Sequence, residues 1–175
     1  MITYRTATPD DTTAIARLHT QSWQQHYRGM MSDRYLDEDI SAERQAEWQK
    51  RMAQPNPEQY ILLAMDGEEI CGFACVYLNH DPEWGALLDN LHVLPNWQRR
   101  GIARQLIYRT AAWVREKTPA AKYHLLVLAG NHNAIKFYDS MGGKNVKKLF
   151  YDVPYDRKEP VYLYVWDDWD RLLPA

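Results

Sequence analysis

The segment Gln98-Arg99-Arg100-Gly101-Ile102-Ala103 has the residue types and spacing to hold a phosphate. It stands between an apolar stretch, 86–93, expected to be a strand, and an amphipathic stretch expected to open a helix near Gly101. The first backbone N–H groups of a helix have no intrahelical acceptor, and the positive end of the helix dipole strengthens their attraction for an anion. A pyrophosphate suits such a site. Gly101 permits successive N–H groups to curl into a nest, and the small Ala103 leaves room for close approach. Chance alone produces a match to this pattern in about one chain in ten, so the surrounding elements must decide whether it counts.

Those elements can be placed from periodicity and punctuation. Ile2 to Thr6 alternates in polarity and predicts a first strand. Thr8-Pro9-Asp10-Asp11 supplies a cap, a proline for the first helical position and an acidic first turn, so a helix follows to about His26 with Ile15 and Leu18 on its apolar face. Gly29 breaks it, 32–39 is an acid-rich short helix or turn, and Ser41 is the expected cap of a helix to about Met52, stopped by Pro55 and Pro57. The period then changes to two. Residues 60–65 and 70–78 predict strands joined through Gly67, and 86–93 predicts a third, closed by Pro95. Beyond the helix 101–117, the nearly all-apolar 123–129 predicts a strand buried on both faces. Asn133 is the expected cap of a helix through Met141, ended by Gly142-Gly143, and 145–151 and 161–166 predict two last strands. The order β, α, α, β, β, β, α, β, α, β, β is that of a mixed α/β chain. A doubly wound dinucleotide fold would place its glycine loop after the first strand, with an acid some twenty residues on. Here the loop follows the fourth.

Composition sets further bounds. With 175 residues, 46% hydrophobic and 25% charged, residues 1–175 fit one globular domain with a sizeable core. A net charge of −2 gives no reason to expect a nucleic-acid partner. Cys71 and Cys75 share a face of one strand, too far apart for an unstrained disulfide and without metal-site neighbours, so both are expected in the core and no metal is expected. No apolar run approaches the ~18 residues of a membrane span and the first residues lack a signal-peptide pattern, so a soluble, cytoplasmic protein is expected.

At this point two blocks bear a resemblance to a known family. Gln98, Gly101 and Ala103 match the Gln/Arg-x-x-Gly-x-Gly/Ala signature of the GNAT superfamily of acyl-CoA-dependent N-acetyltransferases, after a strand ending Leu91-His92-Val93 and before a helix. About thirty residues later, Asn131-His132-Asn133-Ala134-Ile135-Lys136-Phe137-Tyr138 resembles the family's Asn-x-x-Ala-x-x-Phe-Tyr segment. The stretch Ser22 to Gly29 is similar to many bacterial members. One departure is Gly142-Gly143, where the family often has Gly-Phe.

The resemblance implies a GNAT-like central, mostly antiparallel sheet, splayed between its fourth and fifth strands and flanked by helices. Main-chain groups of Leu91, His92 and Val93 would pair with the pantetheine arm of acetyl-CoA as an added strand would. The amides of Arg99, Arg100, Gly101, Ile102, Ala103 and Arg104, entered through Gln98, would cradle its pyrophosphate; the side chains of Arg99, Arg100 and Arg104 either add charge or form a solvated helix start. Asn133 either caps its helix alone or also touches the cofactor. Acetyl transfer needs a neutral amine, and at pH 7 deprotonating an amine of pKa ~10.4 costs roughly 4 to 5 kcal/mol, which gives a base its value. Asp89, expected on the strand face of Leu91 and Val93, is the first candidate base, and His92, on the opposite face, is the second. Each has a purely structural alternative. The N–H of Val93 would polarise the thioester oxygen. Tyr138 would be the general acid toward the departing sulfur, or a core side chain.

The acceptor is less defined. Trp23, Tyr27, Trp84 and Tyr155 are candidate pocket walls, and Asp33, Asp37, Glu38 and Asp39 are either a cation-attracting patch or a solvated face. The expected activity is transfer of acetyl to a primary amine of a small metabolite, peptide or protein. The alternative is a non-catalytic acetyl-CoA-sensing module. A nucleotide-binding enzyme is disfavoured, because no Gly-Lys-Ser/Thr motif or ribose-binding acid accompanies the loop. The C-terminal strands, Trp166 and Trp169 are candidates for a homodimer interface.

Overall fold

A computed structural model describes residues 1–54, 56–154 and 157–173, with the side chains of 157 and 171 left aside. The described strands form a seven-stranded sheet in the order β1-β2-β3-β4-β5-β7-β6. Strands β1 (Ile2–Thr6), β2 (Gln59–Asp66), β3 (Glu69–Asp81) and β4 (Gly85–Val93) pair antiparallel in chain order. Strand β5 (Tyr123–Leu128) lies parallel to β4, and β7 (Arg157–Trp166) runs antiparallel between β5 and β6 (Lys144–Val153). This is the mixed, mostly antiparallel architecture expected.

Strand alternation divides the core between the two faces. Ile61, Leu63 and Phe73 turn toward α1 (Thr12–His26) and α2 (Ile40–Ala53), packing with Ile15, Leu18 and the fully buried Trp48. Leu62, Ala74 and Val76 turn the other way, against Leu106, Ile107 and Val114 of α3 (Ile102–Lys117). Beyond β5 come α4 (His132–Ser140) and, at the far end, the short α5 (Trp169–Leu172). Met31, Tyr35, Leu36 and Ile40 form a smaller core under Trp23, Tyr27 and Leu128, pinning the α1–α2 connection over the C-terminal end of β5.

Several boundaries differ from expectation for local reasons. The proline turn Pro9–Asp11 is a 3-10 turn, so α1 begins at Thr12. Asp11 accepts the Thr8 backbone N–H at 2.7 Å and is gripped by both terminal nitrogens of Arg5, each at 2.7 Å. Ser41 caps nothing: a π-helical turn, Tyr35–Asp39, runs straight into α2, and Ser41 lies inside the first α-turn. Buried Tyr35, Leu36 and Ile40 anchor that turn from within. Helix α2 ends at Ala53, with extended backbone at Gln54; the expected stop at Pro55 lies outside the described residues. The cap of α4 is Asn131, whose Oδ1 accepts the Ala134 N–H at 3.2 Å, so Asn133 sits exposed in the first turn. At Gly143 a Cβ would come within 2.7 Å of Trp166 and 3.0 Å of Tyr164, so β7 aromatics fill the space that a larger residue there would need.

Candidate active site

Strands β4 and β5 pair at Ala86–Tyr123 and Leu87–His124 and, among the described residues, at no further pair. Past Leu87 the two strands splay. Pairing with β3 continues on the other side of β4 and sets which main-chain groups the splay leaves open. The N–H of Leu94 donates to Cys71 O at 2.9 Å. Antiparallel partners alternate between exchanging and not exchanging hydrogen bonds, and the register pairs Gly72 with Val93, Phe73 with His92 and Ala74 with Leu91. His92 therefore turns its main chain to β3, whereas Leu91 and Val93 present theirs to the open side. Two of the three expected residues, rather than all three, offer backbone there. The carbonyl of Val93 is already engaged by the Gln98 side-chain amide at 3.0 Å, and the same nitrogen lies 3.3 Å from His26 Nε2.

The loop that follows has the conformation its sequence implied. Arg99 and Gly101 both have positive φ, 62° and 78°, a backbone in which successive N–H groups can face one anion. Gly101 is the N-cap of α3, and the first bond of the ladder is Gln105 N–H to Gly101 O. The amides of Ile102, Ala103 and Arg104 precede that bond and have no intrahelical acceptor. A Cβ on Gly101 would meet no heavy atom within 4 Å, so the glycine serves the φ angle and leaves open space. Arg99, Arg100 and Arg104 are exposed; Arg104 reaches Tyr108 Oη at 3.2 Å, and neither Arg99 nor Arg100 forms an ion pair among the described residues. Ile102 is buried in the core, so only its amide is available.

Asp89 is not where strict alternation puts it. A bulge shifts the β3–β4 register, with Cys75 opposite Asn90 but Val76 opposite Leu88. Leu88, Leu91 and Val93 thus share the α3 face, and the extra residue lets Asp89 and Asn90 both reach toward α2. There Asp89 Oδ2 accepts from Arg51 Nη1 at 2.6 Å.

His92 does face away from the α3 side, as expected. Its Nδ1 lies 2.8 Å from Ser22 Oγ on α1, and its ring is 4.6 Å from that of His19. Burial, with smaller contributions from His26 and Arg44, pushes the His92 pKa down to about 3, so the imidazole is neutral near pH 7. His19 is fully buried, and burial drives its pKa well below the ordinary value. The indole of Trp48 can only donate, so its 3.0 Å bond to His19 Nδ1 leaves the proton of the neutral ring on Nε2. Ser22 and His19 were not legible as site residues, because nothing local announces the contact with His92, 70 positions from Ser22; Gln98 was expected at the entry of the loop, but not its approach to His26, 72 positions away.

Tyr138 is buried, with ring centroids of Tyr164 and Trp166 at 5.9 and 6.1 Å. Its hydroxyl makes no hydrogen bond to the described residues, and burial, then the neighbouring Tyr27, raise its pKa above the ordinary phenol value. Burial also pushes the Tyr27 phenol up to about 12, so both stay protonated. Trp23 and Tyr27 are brought together, centroids 5.1 Å apart, and Arg44 lies over the Trp23 ring at 4.9 Å. Trp84 is not with them. It lies in the β3–β4 turn, roughly 30 Å of strand from Val93. Tyr155 lies outside the described residues. Asp33 and Asp37 both pair with Arg28, and Glu38 with Arg34, so three of the four acids are held by neighbouring arginines. Among the described residues no cluster of His, Cys, Asp or Glu could hold a metal ion, and no helix is long and apolar enough to cross a membrane.

A model of the Acetyltransferase (GNAT) family matches residues 15–142, which carry the splayed strand, the loop and Tyr138. The chain belongs to the GNAT acetyltransferase family. Like other members it is an acyltransferase. It is 32% identical over 120 residues to aminoglycoside N(6')-acetyltransferase type 1 of Stenotrophomonas maltophilia, covering 65% of this chain and 68% of that protein. In fold this GNAT protein is similar to the PaiA N-acetyltransferase of Thermoplasma acidophilum, solved with coenzyme A, at a TM-score of 0.75 and 18% identity over 95% of this chain and 99% of the other. It is also similar to Arabidopsis thaliana NAA60, solved with acetyl-CoA, at a TM-score of 0.68 and 21% identity over 95% and 98% of the two chains.

Proposed function

We propose that this GNAT protein transfers an acetyl group from acetyl-CoA to a primary amine of a small metabolite, peptide or protein. The observation that carries this is the pairing of two unshared sets of backbone groups along one path: the main-chain groups of Leu91 and the N–H of Val93 at the splay, and the unbonded amides of Ile102, Ala103 and Arg104 behind the turn at Arg99 and Gly101. An extended amide-bearing arm ending in a pyrophosphate satisfies both sets; a compact anion would satisfy only the second. Acetyl-CoA would supply an acetyl group activated as a thioester.

The chain's own groups supply the remainder. The Val93 N–H is a fixed dipole on the open side, suited to an oxygen that gains negative charge. Tyr138 carries a proton that no described side chain or main-chain acceptor competes for, ready to be given to a sulfur. His92, its ring fixed by Ser22, can accept a hydrogen bond from the incoming amine and orient it; with its pKa held at about 3 it does not keep the proton, which leaves to solvent. Arg51 engages the Asp89 carboxylate, so Asp89 is the weaker candidate for contact with the amine. Calorimetric titration with acetyl-CoA, with ATP and NAD as controls, followed by release of free thiol across an amine panel, tests the assignment. Saturable binding of acetyl-CoA alone and amine-dependent thiol release are expected; absence of binding overturns the donor assignment, and binding without thiol release from any amine overturns the transferase assignment.

A further inference from the structure

We propose that Arg51, in the last turn of α2, is a positioning residue that fixes the β4 bulge and so aims the Leu91 and Val93 backbone groups. The connection to acetyl-CoA rests on the function proposed above; the connection to β4 does not. Arg51 Nη1 donates both to Asp89 Oδ2 at 2.6 Å and to Asn90 Oδ1 at 3.1 Å, the two residues that face one partner across the bulge. Its Nε donates to Glu47 Oε1 at 2.7 Å, and its guanidinium lies over the rings of Trp48 and Tyr77 at 5.1 and 5.8 Å. The side chain is only 18% exposed, so its direction is set by packing as well as by charge.

A bulge leaves one residue without a cross-strand partner, and the local backbone has an alternative: a one-residue slip that restores regular pairing. That slip would exchange the faces of Leu91 and Val93 with those of Asn90 and His92 and turn the open backbone groups toward β3. Holding Asp89 and Asn90 at one nitrogen on one side of the strand, with the guanidinium itself held by Glu47, opposes the slip. The bulge, at Asp89, comes two residues after Leu87, where pairing with β5 ends, so the residue that secures the bulge secures the start of the splay. Arginine suits the task because its planar fork reaches several acceptors in a fixed geometry, which the single ammonium of lysine does not.

The experiment compares wild type, Arg51→Met and Arg51→Lys by residue-resolved amide hydrogen exchange of the ligand-free protein and by acetyl-CoA titration. Arg51→Met keeps length and packing while removing the fork. It is expected to speed exchange at His92 and Leu94, the amides that β4 gives to β3, by about tenfold while leaving the β1–β2 ladder unchanged, and to weaken acetyl-CoA by a similar factor, with Arg51→Lys falling between. A general loss of packing would instead raise exchange evenly through the sheet. Even acceleration, or unchanged exchange in β4, overturns the proposal. If Arg51→Met does not fold, Asp89→Asn, which weakens the same contact with little change of shape, must give the same local pattern in smaller measure; a flat profile overturns the proposal there too. Should wild type fail to bind acetyl-CoA, the donor assignment falls, whereas the exchange pattern still decides the role of Arg51.

Discussion

The ring of Tyr138 packs near Tyr164 and Trp166, while its hydroxyl has no acceptor among the described residues, so packing and chemistry can be separated by removing one oxygen. A phenylalanine keeps the packing. Tyr138→Phe is expected to lower kcat by about a hundredfold, the usual scale of a lost general acid, with little change in the KM for acetyl-CoA. Steady-state thiol release checks this; full turnover in the variant would assign Tyr138 to packing alone. The sequence singles this residue out as the last of the eight in the Asn131 to Tyr138 block. The environment of His92 was not: Ser22 is 70 positions away, and nothing local announces that an imidazole on an alternating strand will be buried against a second one.

At the scale of elements, the turn into α3 shows how a loop conformation can be demanded by a ligand and not by the core. Gly101 has φ of 78° with no heavy atom near its absent Cβ, so Gly101→Ala meets only the left-handed backbone penalty of about 1–2 kcal/mol. The substitution should either cost that much stability or relax the turn and re-aim the amides of Ile102 to Arg104. In the second case acetyl-CoA binding weakens by about tenfold or more, equivalent to about 1.4 kcal/mol. Thermal denaturation and calorimetry distinguish these, and a variant unchanged in both would remove the loop from the site. Strands and helices were legible here because period two and period 3.6 alternate cleanly and glycine or proline marks the breaks. The bulge was hidden because both Asp89 and Asn90 are polar, so neither reveals the extra residue, and its clamp, Arg51, is 38 positions distant. The cap of α4 was misplaced by two positions because Asn131 and Asn133 are both competent, and only the hydrogen bond to Ala134 decides.

Over the whole molecule, buried histidines and one gripped carboxylate make stability depend on pH in a single direction. In the folded protein burial holds His92 at about 3, against an ordinary 6.5, so below pH 6.5 the unfolded chain takes up a proton that the folded chain refuses. His19 acts the same way. The Arg5 guanidinium and the Thr8 amide lower the Asp11 carboxyl from 3.8 to about 2, and the stability this provides is lost as pH falls through that interval. Chemical denaturation should therefore show stability declining from about pH 6.5 downward, and more steeply below about pH 4. His92→Gln should flatten the first part of the curve; an unchanged slope in that variant would place the proton uptake elsewhere.

The seam between the two halves of the sheet has a mechanical corollary. At Gly85, the first residue of β4, a Cβ would come within 2.4 Å of Lys122 O, so the halves meet there as closely as main chains allow. From Leu87 to Val93 is roughly 20 Å of strand at 3.3 Å per residue. The gap between β4 and β5 is therefore a lever with its fulcrum at Leu87, where their pairing ends two residues past the glycine. A tilt of about 5° at that end displaces the other by roughly 1.7 Å, more than half the length of a hydrogen bond. A single methyl group at position 85, far from every reacting atom, would set the width of the opening in which they meet.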